Sequence, residues 1–366
     1  MKKIFIIAGE ASGDILGAGI MANMDGVRFV GVGGEEMSRF RGFKSLFNIR
    51  DIAVMGLFEV LARFFTIWRR VRQTVAAVVA EKPDMLLSVD SPGFCTAVVK
   101  RVKRVMPGLV CVHYVAPQVW AWKPKRARKF ARIFNYLLCF FPFERKYFTR
   151  HGLRTFAVGH PIAELAVKRA AGSSIVMLPG SRAAMARRLL PVFERAAEII
   201  QAARPGVRIV MPVVATSEKF VRSETARWCV KPKIVAGREA RIKAFAECAG
   251  AISISGTAVL ELAALGVPCV ATYKTSPLTY FIAKRLVKIR DVTLPNIILG
   301  RRMVAELIQG DAMGDKLAGA LLDLIRSPKK MAEYRRDVLA LRQAIAPKGG
   351  LSPSARAAEI LHGILN

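Results

Sequence analysis

Residues 252–273 read ISISGTAVLELAALGVPCVATY and predict three secondary-structure elements in a row. A short apolar run ends at a turn of small residues, Ser255-Gly256-Thr257, and good helix formers follow it. Gly266 and Pro268 end that helix, and the apolar run Cys269–Tyr273 predicts a second buried strand. Strand, helix and strand in this order form the βαβ unit of a parallel sheet, so we expect an α/β fold.

The turn between the first strand and the helix is a candidate phosphate-binding site. The helix has free N–H groups at its N-terminus, and Ser255 and Thr257 add hydroxyls beside Gly256. Glu261 lies one helical turn after Thr257, on the same face. Because a carboxylate repels a phosphate, we expect Glu261 to bind sugar hydroxyls such as those of a ribose. The alternative is an ordinary turn with a capping hydroxyl and a solvated glutamate.

Composition limits the classes of function. A chain of 366 residues with 53% hydrophobic residues is long enough for two domains, each with its own core. The net charge of +31 favours anionic partners, namely nucleic acid, an anionic membrane surface or phosphorylated substrates, although part of it can be a compositional habit of the organism. The absence of an RNA-binding signature from the sequence argues against nucleic acid.

Scattered cysteines and short apolar runs indicate a reducing compartment. The six cysteines form no C-x-x-C pair, so we expect free thiols and no metal site. The N-terminal apolar run is too short for a signal peptide, and prolines and glycine interrupt the longest uncharged run. We expect a protein that is cytosolic or lies on a membrane surface without crossing it.

The first half of the chain opens like half of a Rossmann fold. A strand at Lys3–Ala8 leads into the loop Gly9–Asp14 and a helix. The loop is not a dinucleotide fingerprint, because its spacing differs and Glu10 and Asp14 would face a phosphate. We expect these carboxylates to bind sugar hydroxyls or to act as a general base; capping of the helix by Ser12 or Asp14 is the alternative.

Two further strand ends of the first half carry polar residues. A strand at Asp84–Val89 ends in Asp90, at the position where open α/β sheets bind ligands. Another strand ends at Gly159-His160-Pro161, where we expect a structural rather than a catalytic histidine.

One predicted helix combines aromatic residues with arginines. Phe64, Phe65 and Trp68 are followed by Arg69 and Arg70. This pairing is typical of an interfacial helix whose apolar face enters lipid while its basic face meets lipid phosphates. An amphipathic helix of the protein core is the alternative.

The second half begins after a linker at 165–172. A strand at Ser174–Leu178 ends in Gly180-Ser181-Arg182, a second small-residue turn with a cation that can neutralise a diphosphate. Two anion-binding turns without a Walker lysine indicate a nucleotide diphosphate rather than ATP hydrolysis. The sequence has no Asp-x-Asp pair for a metal, so Arg182 and helix N-termini must stabilise the leaving diphosphate. Three helices are predicted after Met313.

Nine motifs in order along the chain resemble those of the lipid-A-disaccharide synthases. They are Gly9–Asp14, His113–Trp122, Phe141–Glu144, Gly159–Pro161, Leu178–Arg182, Ser255–Glu261, Ala283–Lys288, Leu294–Asn296 and Glu306–Gln309. The resemblance implies two Rossmann-like domains facing across a cleft, the glycosyltransferase B-type fold. It implies bounds of 1–165 and 173–345 for the two domains, with a helix at 346–366 that packs back on the first.

The resemblance also implies a reaction. 2,3-Diacylglucosamine would pass from its UDP conjugate to 2,3-diacylglucosamine 1-phosphate, giving the β-1,6-linked disaccharide phosphate and UDP, with inversion and without metal or cofactor. Asp90 or Glu10 would be the general base, with Asp90 preferred. The implied donor site comprises Gly180, Ser181, Arg182, Ser255, Gly256, Thr257, Glu261, Asn296 and Gln309, and Ser12 and Gly13 would bind substrate in the first domain. Acylated substrates imply that the protein lies on the cytoplasmic face of the inner membrane. The resemblance leaves open whether the protein forms a homodimer.

The sequence departs from the family pattern at three positions. Gly93 stands where the family usually has a second acid, Cys95 where it has Asn, and Met185 where a Glu follows the Gly180 turn. Because Asp90 and Arg182 are present, we expect altered acceptor handling rather than an inactive enzyme.

Two other functions stay open at this point. One is another UDP-sugar enzyme of the same fold, such as a UDP-N-acetylglucosamine epimerase or the peptidoglycan glucosaminyltransferase, which would leave the aromatic helix without a purpose. The other is a non-catalytic basic module that binds RNA or anionic lipid, with salt-dependent binding and no affinity for UDP.

Overall fold

The computed structural model describes residues 1–53, 63–121, 124–165, 169–170, 172–180, 183–277, 280–281, 285 and 290–366, with the backbone alone for 183 and 184. The described chain forms two compact units. The first comprises Met1–Pro161 and Ile345–Asn366, and the second comprises Ile162–Ala344. The bounds 1–165, 173–345 and 346–366 for separate domains stay a prediction.

The first unit is built on a parallel sheet of six strands in the order β2-β1-β3-β4-β5-β6. The strands are β1 (Lys2–Ala8), β2 (Val27–Val32), β3 (Met85–Val89), β4 (Val110–Tyr114), β5 (Tyr136–Cys139) and β6 (Arg154–Ala157). The direction of strand addition reverses between β1 and β3. In open α/β sheets ligands bind at this switch point, outside the carboxyl ends of the strands.

Helices cover both faces of this sheet. They are α1 (Ala11–Met21), α2 (Glu35–Ser38), α3 (Phe64–Glu81), α4 (Pro92–Val105), α5 (Lys125–Ala131), α6 (Arg145–Thr149) and, after the second unit, α14 (Pro353–Leu365). Alternate residues of β1 point to opposite faces: Phe5 and Ile7 pack with α3 to α6, whereas Ile4 and Ile6 pack with α1 and α14. Leu361 of α14 is fully buried there, which confirms that the C-terminal helix packs on the first unit.

The second unit repeats this architecture with the strand order β12-β11-β10-β7-β8-β9. The strands are β7 (Ser174–Leu178), β8 (Ile209–Val213), β9 (Lys233–Ala236), β10 (Cys248–Ile254), β11 (Cys269–Tyr273) and β12 (Ala305–Ile308). The labelled helices are α7 (Ala183–Ala203), α8 (Ala215–Thr225), α9 (Arg238–Ala246), α10 (Thr257–Ala264), α11 (Leu294–Leu299), α12 (Gly314–Arg326) and α13 (Pro328–Ile345). The switch point lies between β7 and β10, the strands that precede the two predicted anion-binding turns.

The unit at residues 252–273 folds as predicted. β10 and β11 are paired in parallel, with Ala251 opposite Cys269, and α10 connects them. Their central residues are buried, because this strand pair lies inside the sheet and helices cover both of its faces. The α/β fold class is therefore confirmed. The three helices predicted after Met313 are α12, α13 and α14.

Candidate active site

Asp90 lies at the carboxyl end of β3, at the switch point of the first sheet. Its backbone N–H donates to the carbonyl of Tyr114 at 2.9 Å, which ties it to the neighbouring strand. The Ser12 hydroxyl donates to one carboxylate oxygen at 2.8 Å, and the Ser91 N–H donates to the other at 2.8 Å. The half-buried carboxylate is thus oriented by two hydrogen bonds. A carboxylate fixed in this way can accept a proton from a substrate hydroxyl.

Two glycines let the first loop approach Asp90. A Cβ added at Gly9 would lie 2.2 Å from the Cβ of Ser91, and one added at Gly13 would lie 3.0 Å from the carbonyl oxygen of Val89. The position of Ser12 beside Asp90 therefore depends on glycine at these two sites. Gly13, predicted to bind substrate, is buried and serves this close packing. Direct substrate contact by Ser12 and Gly13 stays a prediction.

Glu10 is the second acid at this strand edge. Partial burial raises the pKa of its carboxyl above the ordinary value, and the negative charge of Asp90 raises it further. The two predicted acids therefore share one site in the first unit. A carboxyl group whose pKa is raised by a neighbouring carboxylate is a recurrent feature of general acid–base sites.

Asp14 has a structural part that the sequence did not reveal. Its buried carboxylate accepts hydrogen bonds from the backbone N–H groups of Gly34, Glu36 and Met37, at 2.7, 2.9 and 3.2 Å. It therefore satisfies the N-terminus of α2 and does not face a ligand, so the proposed sugar or base role for Asp14 is wrong. The capping alternative was right in kind, but the capped helix is α2 rather than α1.

Strained backbone conformations lie at the carboxyl ends of the strands. Asp90 and Ser91 after β3 have φ of 55° and 41°, Val115 after β4 has φ of 80°, and Gln309 after β12 has φ of 53°. Left-handed backbone is costly for non-glycine residues, above all for a β-branched valine. Such strain clusters at active sites, where surrounding contacts hold it in place.

The N-terminus of α10 is open in the second unit. Gly256 occupies the N-cap position without a capping side chain, and Gly256 and Thr257 are exposed. The Ser255 N–H donates to Thr272 in β11, and its hydroxyl donates to the carbonyl of Val292 at 3.1 Å. Backbone N–H groups at such an open helix end bind anions well.

A second turn lies on the neighbouring strand. β7 pairs with β10, Leu178 being opposite Ser253, so the turn at Gly180 follows directly beside the Ser255 turn. Gly180 has φ of 101° and packs against Ile254. Ser181 and Arg182 lie outside the described residues, as do Trp122, Lys123 and most of the motif at 283–288.

Glu261 forms an ion pair that sequence reasoning missed. Arg241 of α9 approaches both carboxylate oxygens at 3.2 Å, and the Glu261 side chain is 17% exposed. Desolvation raises the pKa of Glu261, while the positive charges of Arg241 and Arg238 oppose that rise. The ion pair with Arg241 therefore fixes the carboxylate one helical turn after the start of α10, and its contact with ribose hydroxyls stays a prediction.

Asn296 is occupied entirely by the protein. Its side-chain oxygen accepts from the N–H groups of Met303 and Val304, and its amide donates to the carbonyl of Val304 and to Glu306. Glu306 also accepts from the Thr293 N–H and hydroxyl, at 2.9 and 2.7 Å. With its side chain fully buried, Asn296 fixes the segment after α11 and does not line an open surface.

Gln309 also bonds to a neighbouring loop. Its side-chain oxygen accepts from the Thr275 N–H at 2.6 Å, and its amide donates to the Thr275 carbonyl at 3.2 Å. It therefore connects the end of β12 to the loop after β11. Its predicted contact with UDP stays a prediction.

The aromatic side chains of α3 are exposed. Phe64, Phe65 and Trp68 are 53%, 83% and 44% exposed, whereas the opposite face of the helix is buried against the sheet. The alternative of an ordinary core helix therefore does not account for them. Arg69 is exposed, but Arg70 donates to Asp51 at 2.9 Å and lies over the Phe47 ring, so the protein itself engages Arg70.

The described residues contain neither a membrane-spanning helix nor a cluster of metal ligands. No helix among them is long and apolar enough to cross a bilayer. In the same part of the chain, no three His, Cys, Asp or Glu side chains lie together so that they could hold a metal ion.

His160 is packed against Phe140 and Phe141, and burial lowers its pKa to about 4. This surrounding fits the structural role expected for it.

The two units define the fold class. The structure of S. aureus MnaA with UDP covers 100% of this chain and 97% of its own, with a TM-score of 0.66 at 14% identity. The structure of Acinetobacter baumannii MurG covers 99% of this chain and 100% of its own, with a TM-score of 0.59 at 14% identity. These likenesses show a fold of two Rossmann-like domains, the glycosyltransferase B-type fold.

The sequence comparisons identify the family within that class. The model of the lipid-A-disaccharide synthetase family matches residues 4–349. Lipid-A-disaccharide synthases of Rhodospirillum centenum and Paramagnetospirillum magneticum are 37% and 38% identical to the chain. They cover 99% and 97% of it and 94% and 96% of their own lengths. The chain belongs to the lipid-A-disaccharide synthase family, as its motifs predicted.

Proposed function

We propose that the chain is a glycosyltransferase that synthesises the lipid A disaccharide. It transfers 2,3-diacylglucosamine from its UDP conjugate to 2,3-diacylglucosamine 1-phosphate and releases UDP. The observation that carries this proposal is the family match over residues 4–349, which includes both the acidic edge at Asp90 and the open end of α10. The comparisons favour this activity over the epimerase and the basic-module alternatives.

The second unit binds the UDP moiety in this proposal. The open N-terminus of α10 and the Gly180 turn take the diphosphate, and Ser181 and Arg182 add a hydroxyl and a positive charge. Glu261, which Arg241 orients, accepts hydrogen bonds from the ribose hydroxyls. Asn296 and Gln309 keep the surrounding loops in place through their contacts with Val304 and Thr275.

The first unit binds the acceptor and carries the base. The acceptor 6-hydroxyl oxygen attacks C1 of the donor sugar from the face opposite the diphosphate. The C1–O bond to the diphosphate breaks, UDP leaves, and Asp90 takes the hydroxyl proton. One in-line displacement inverts an α-linked donor to a β product. Glu10, whose pKa is raised, is the second acid of the site and the alternative base.

Two of the three departures from the family pattern, Gly93 and Cys95, lie on this acceptor side, whereas Met185 lies in α7 of the second unit. Gly93 is exposed, and a Cβ added there meets no atom of the described residues within 4 Å, so the usual acid would fit without rearrangement. Cys95 is buried and donates its thiol to the carbonyl oxygen of Asp90 at 3.3 Å. Asp90 therefore keeps a contact that holds its backbone, whereas the negative charge that the family usually has at position 93 is absent.

We propose that the exposed face of α3 contacts an anionic leaflet, which places the protein on the cytoplasmic face of the inner membrane. Phe64, Phe65 and Trp68 enter the lipid interface and Arg69 meets phosphates. The helices on the same side of the sheet are rich in cations: Arg69, Arg70, Arg72, Lys100, Arg101, Lys103, Arg104, Lys125, Arg126, Arg128, Lys129, Arg145 and Lys146, against the acid Glu81. A homodimer stays a prediction that light scattering tests.

The test is product formation by the purified chain in detergent micelles. With the UDP-diacylglucosamine donor, we expect UDP release that needs the diacylglucosamine-phosphate acceptor and survives a chelator, with the disaccharide phosphate identified by mass spectrometry. Conversion of UDP-N-acetylglucosamine without reaction of the acylated pair would instead support the soluble-sugar enzyme. Salt-dependent RNA binding without UDP binding would support the basic module.

A further inference from the structure

Glu144 is a buried carboxylate that the proposed mechanism does not use. It is 4% exposed and follows β5 at the same edge of the sheet as Asp90. Its oxygens accept from the Phe141 N–H at 3.0 Å and from the indole N–H of Trp120 at 3.4 Å. No lysine or arginine of the described residues forms an ion pair with it.

Trp120 is fixed from a second side by aromatic rings. Its ring meets Phe143 edge-on, with centroids 5.7 Å apart, and Phe143 stacks on Phe141 at an interplanar angle of 8°. Phe141 stacks in turn on His160 at 5.5 Å. The indole is therefore held both by a hydrogen bond and by a continuous stack at the ends of β5 and β6.

The segment that Trp120 anchors begins with strained backbone. Val115 has φ of 80° and donates its N–H to Leu138, so the chain turns sharply away from β4. Ala116, Pro117 and Val119 are buried. Gln118 is exposed and is the polar side chain that this segment presents to solvent. The segment follows β4. The neighbouring strand β3 leads directly into Asp90, so both strand ends lie at the same edge of the sheet.

We infer that Glu144 is a positioning residue that acts through Trp120: it holds residues 115–121 so that Gln118 contacts the acceptor sugar beside Asp90. The inference rests on the proposed function. Its chemistry follows from the donors: the Phe141 backbone and the Trp120 indole present N–H groups to Glu144, and a carboxylate accepts with either oxygen. A glutamine amide offers an oxygen to one donor only and turns its own N–H₂ toward the other.

Kinetics of three variants test the inference. Trp120→Phe removes the N–H and keeps an aromatic ring for the stack, so it spares the fold. We expect an acceptor KM about tenfold higher, the equivalent of one lost hydrogen bond, with UDP affinity unchanged. Glu144→Gln should give the same shift, and combining it with Trp120→Phe should add nothing further. Gln118→Ala should raise the acceptor KM by a similar factor.

Hydrogen exchange gives a readout that does not depend on turnover. We expect faster amide exchange across residues 115–121 in Trp120→Phe and Glu144→Gln. Val98→Ala is the control for general destabilisation. Val98 is a buried residue of α4 and belongs to the same hydrophobic core as Ala116 and Val119. It should lower the melting temperature and leave both the acceptor KM and the exchange of this segment unchanged.

An acceptor KM within twofold of the wild type in Trp120→Phe, or equal shifts for donor and acceptor, would overturn the inference. A wild-type protein that forms no disaccharide would instead refute the proposed function, and the acceptor role of Gln118 with it. Normal wild-type turnover with an unshifted Trp120→Phe variant refutes this inference alone.

Discussion

Asp90 owes its orientation to side chains and glycines that lie far away in the sequence. Ser12, which donates to its carboxylate, is 78 residues earlier in the chain, and Gly9 makes room for the adjacent Ser91. The sequence predicts Asp90 itself, because an acid at the end of a buried parallel strand lies at a ligand-binding edge. Its link to Ser12 needed the knowledge that β1 and β3 are neighbours.

The partners of Glu261, Asn296 and Glu144 were missed for the same reason. Arg241 lies on the helix before β10, and no motif marks it. Asn296 reads as a polar lining residue, but its four hydrogen bonds to backbone and to Glu306 were visible only in three dimensions. Periodicity predicts which residues are buried; it does not predict which polar groups meet inside.

Glu144 gives a stability that depends on pH in an unusual direction. Burial raises the pKa of its carboxyl from 4.5 to about 7, so the folded state holds this proton more tightly than the unfolded state. The group's contribution to the free energy of unfolding is therefore full below pH 4.5 and falls by about 3 kcal/mol as the pH rises to 7. In urea denaturation, the free energy of unfolding of the wild type minus that of Glu144→Gln should fall by that amount between pH 4.5 and pH 7. A difference that stays constant with pH would contradict the shifted pKa.

At the scale of elements, α10 is central to the donor site. Its first residues follow a strand at the switch point of the second sheet, and its N-cap residue is Gly256, which has no side chain to cap the helix. The sequence predicted this strand–turn–helix unit well, since small residues at the turn and Gly266 after the helix define both ends. The neighbouring turn was placed beside it only by the pairing of β7 with β10.

A charge at the start of α10 should have opposite effects on stability and binding. In Thr257→Asp the new carboxylate interacts favourably with the helix N-terminus, adding about 0.3–1 kcal/mol of stability. The same charge repels the diphosphate, so we expect UDP affinity to fall about tenfold or more. Calorimetry measures both. Thr257→Asn, neutral and similar in size, is the matched control, and unchanged UDP affinity in Thr257→Asp would argue against a diphosphate at this helix end.

At the scale of the whole molecule, charge is distributed unevenly. The net charge of +31 indicated anionic partners from composition alone. Many of the basic residues lie on one side of the first sheet, because the helices α3 to α6, which carry them, cover that face. The helices α1, α2 and α14 cover the other face. Composition cannot predict this, since the assignment of helices to faces comes from the topology of the sheet.

Vesicle binding tests whether that basic side meets lipid. In the double variant Phe65→Ser and Trp68→Ser, loss of exposed apolar area should weaken binding to phosphatidylglycerol vesicles more than tenfold. Leu339→Ser is the control, because Leu339 is 61% exposed on α13 of the second unit. Co-sedimentation measures the binding. If the double variant and the control bind like the wild type, α3 does not contact the membrane.

The most direct measurement of the central claim is single-turnover disaccharide formation by Asp90→Asn at saturating donor and acceptor. Asn keeps the size and one acceptor oxygen of Asp but cannot take the proton of the attacking hydroxyl. We predict a rate lower by about 10² to 10⁴, the usual contribution of a general base, with UDP affinity and melting temperature unchanged. A rate within a few fold of the wild type would show that Asp90 is not the base of this transferase.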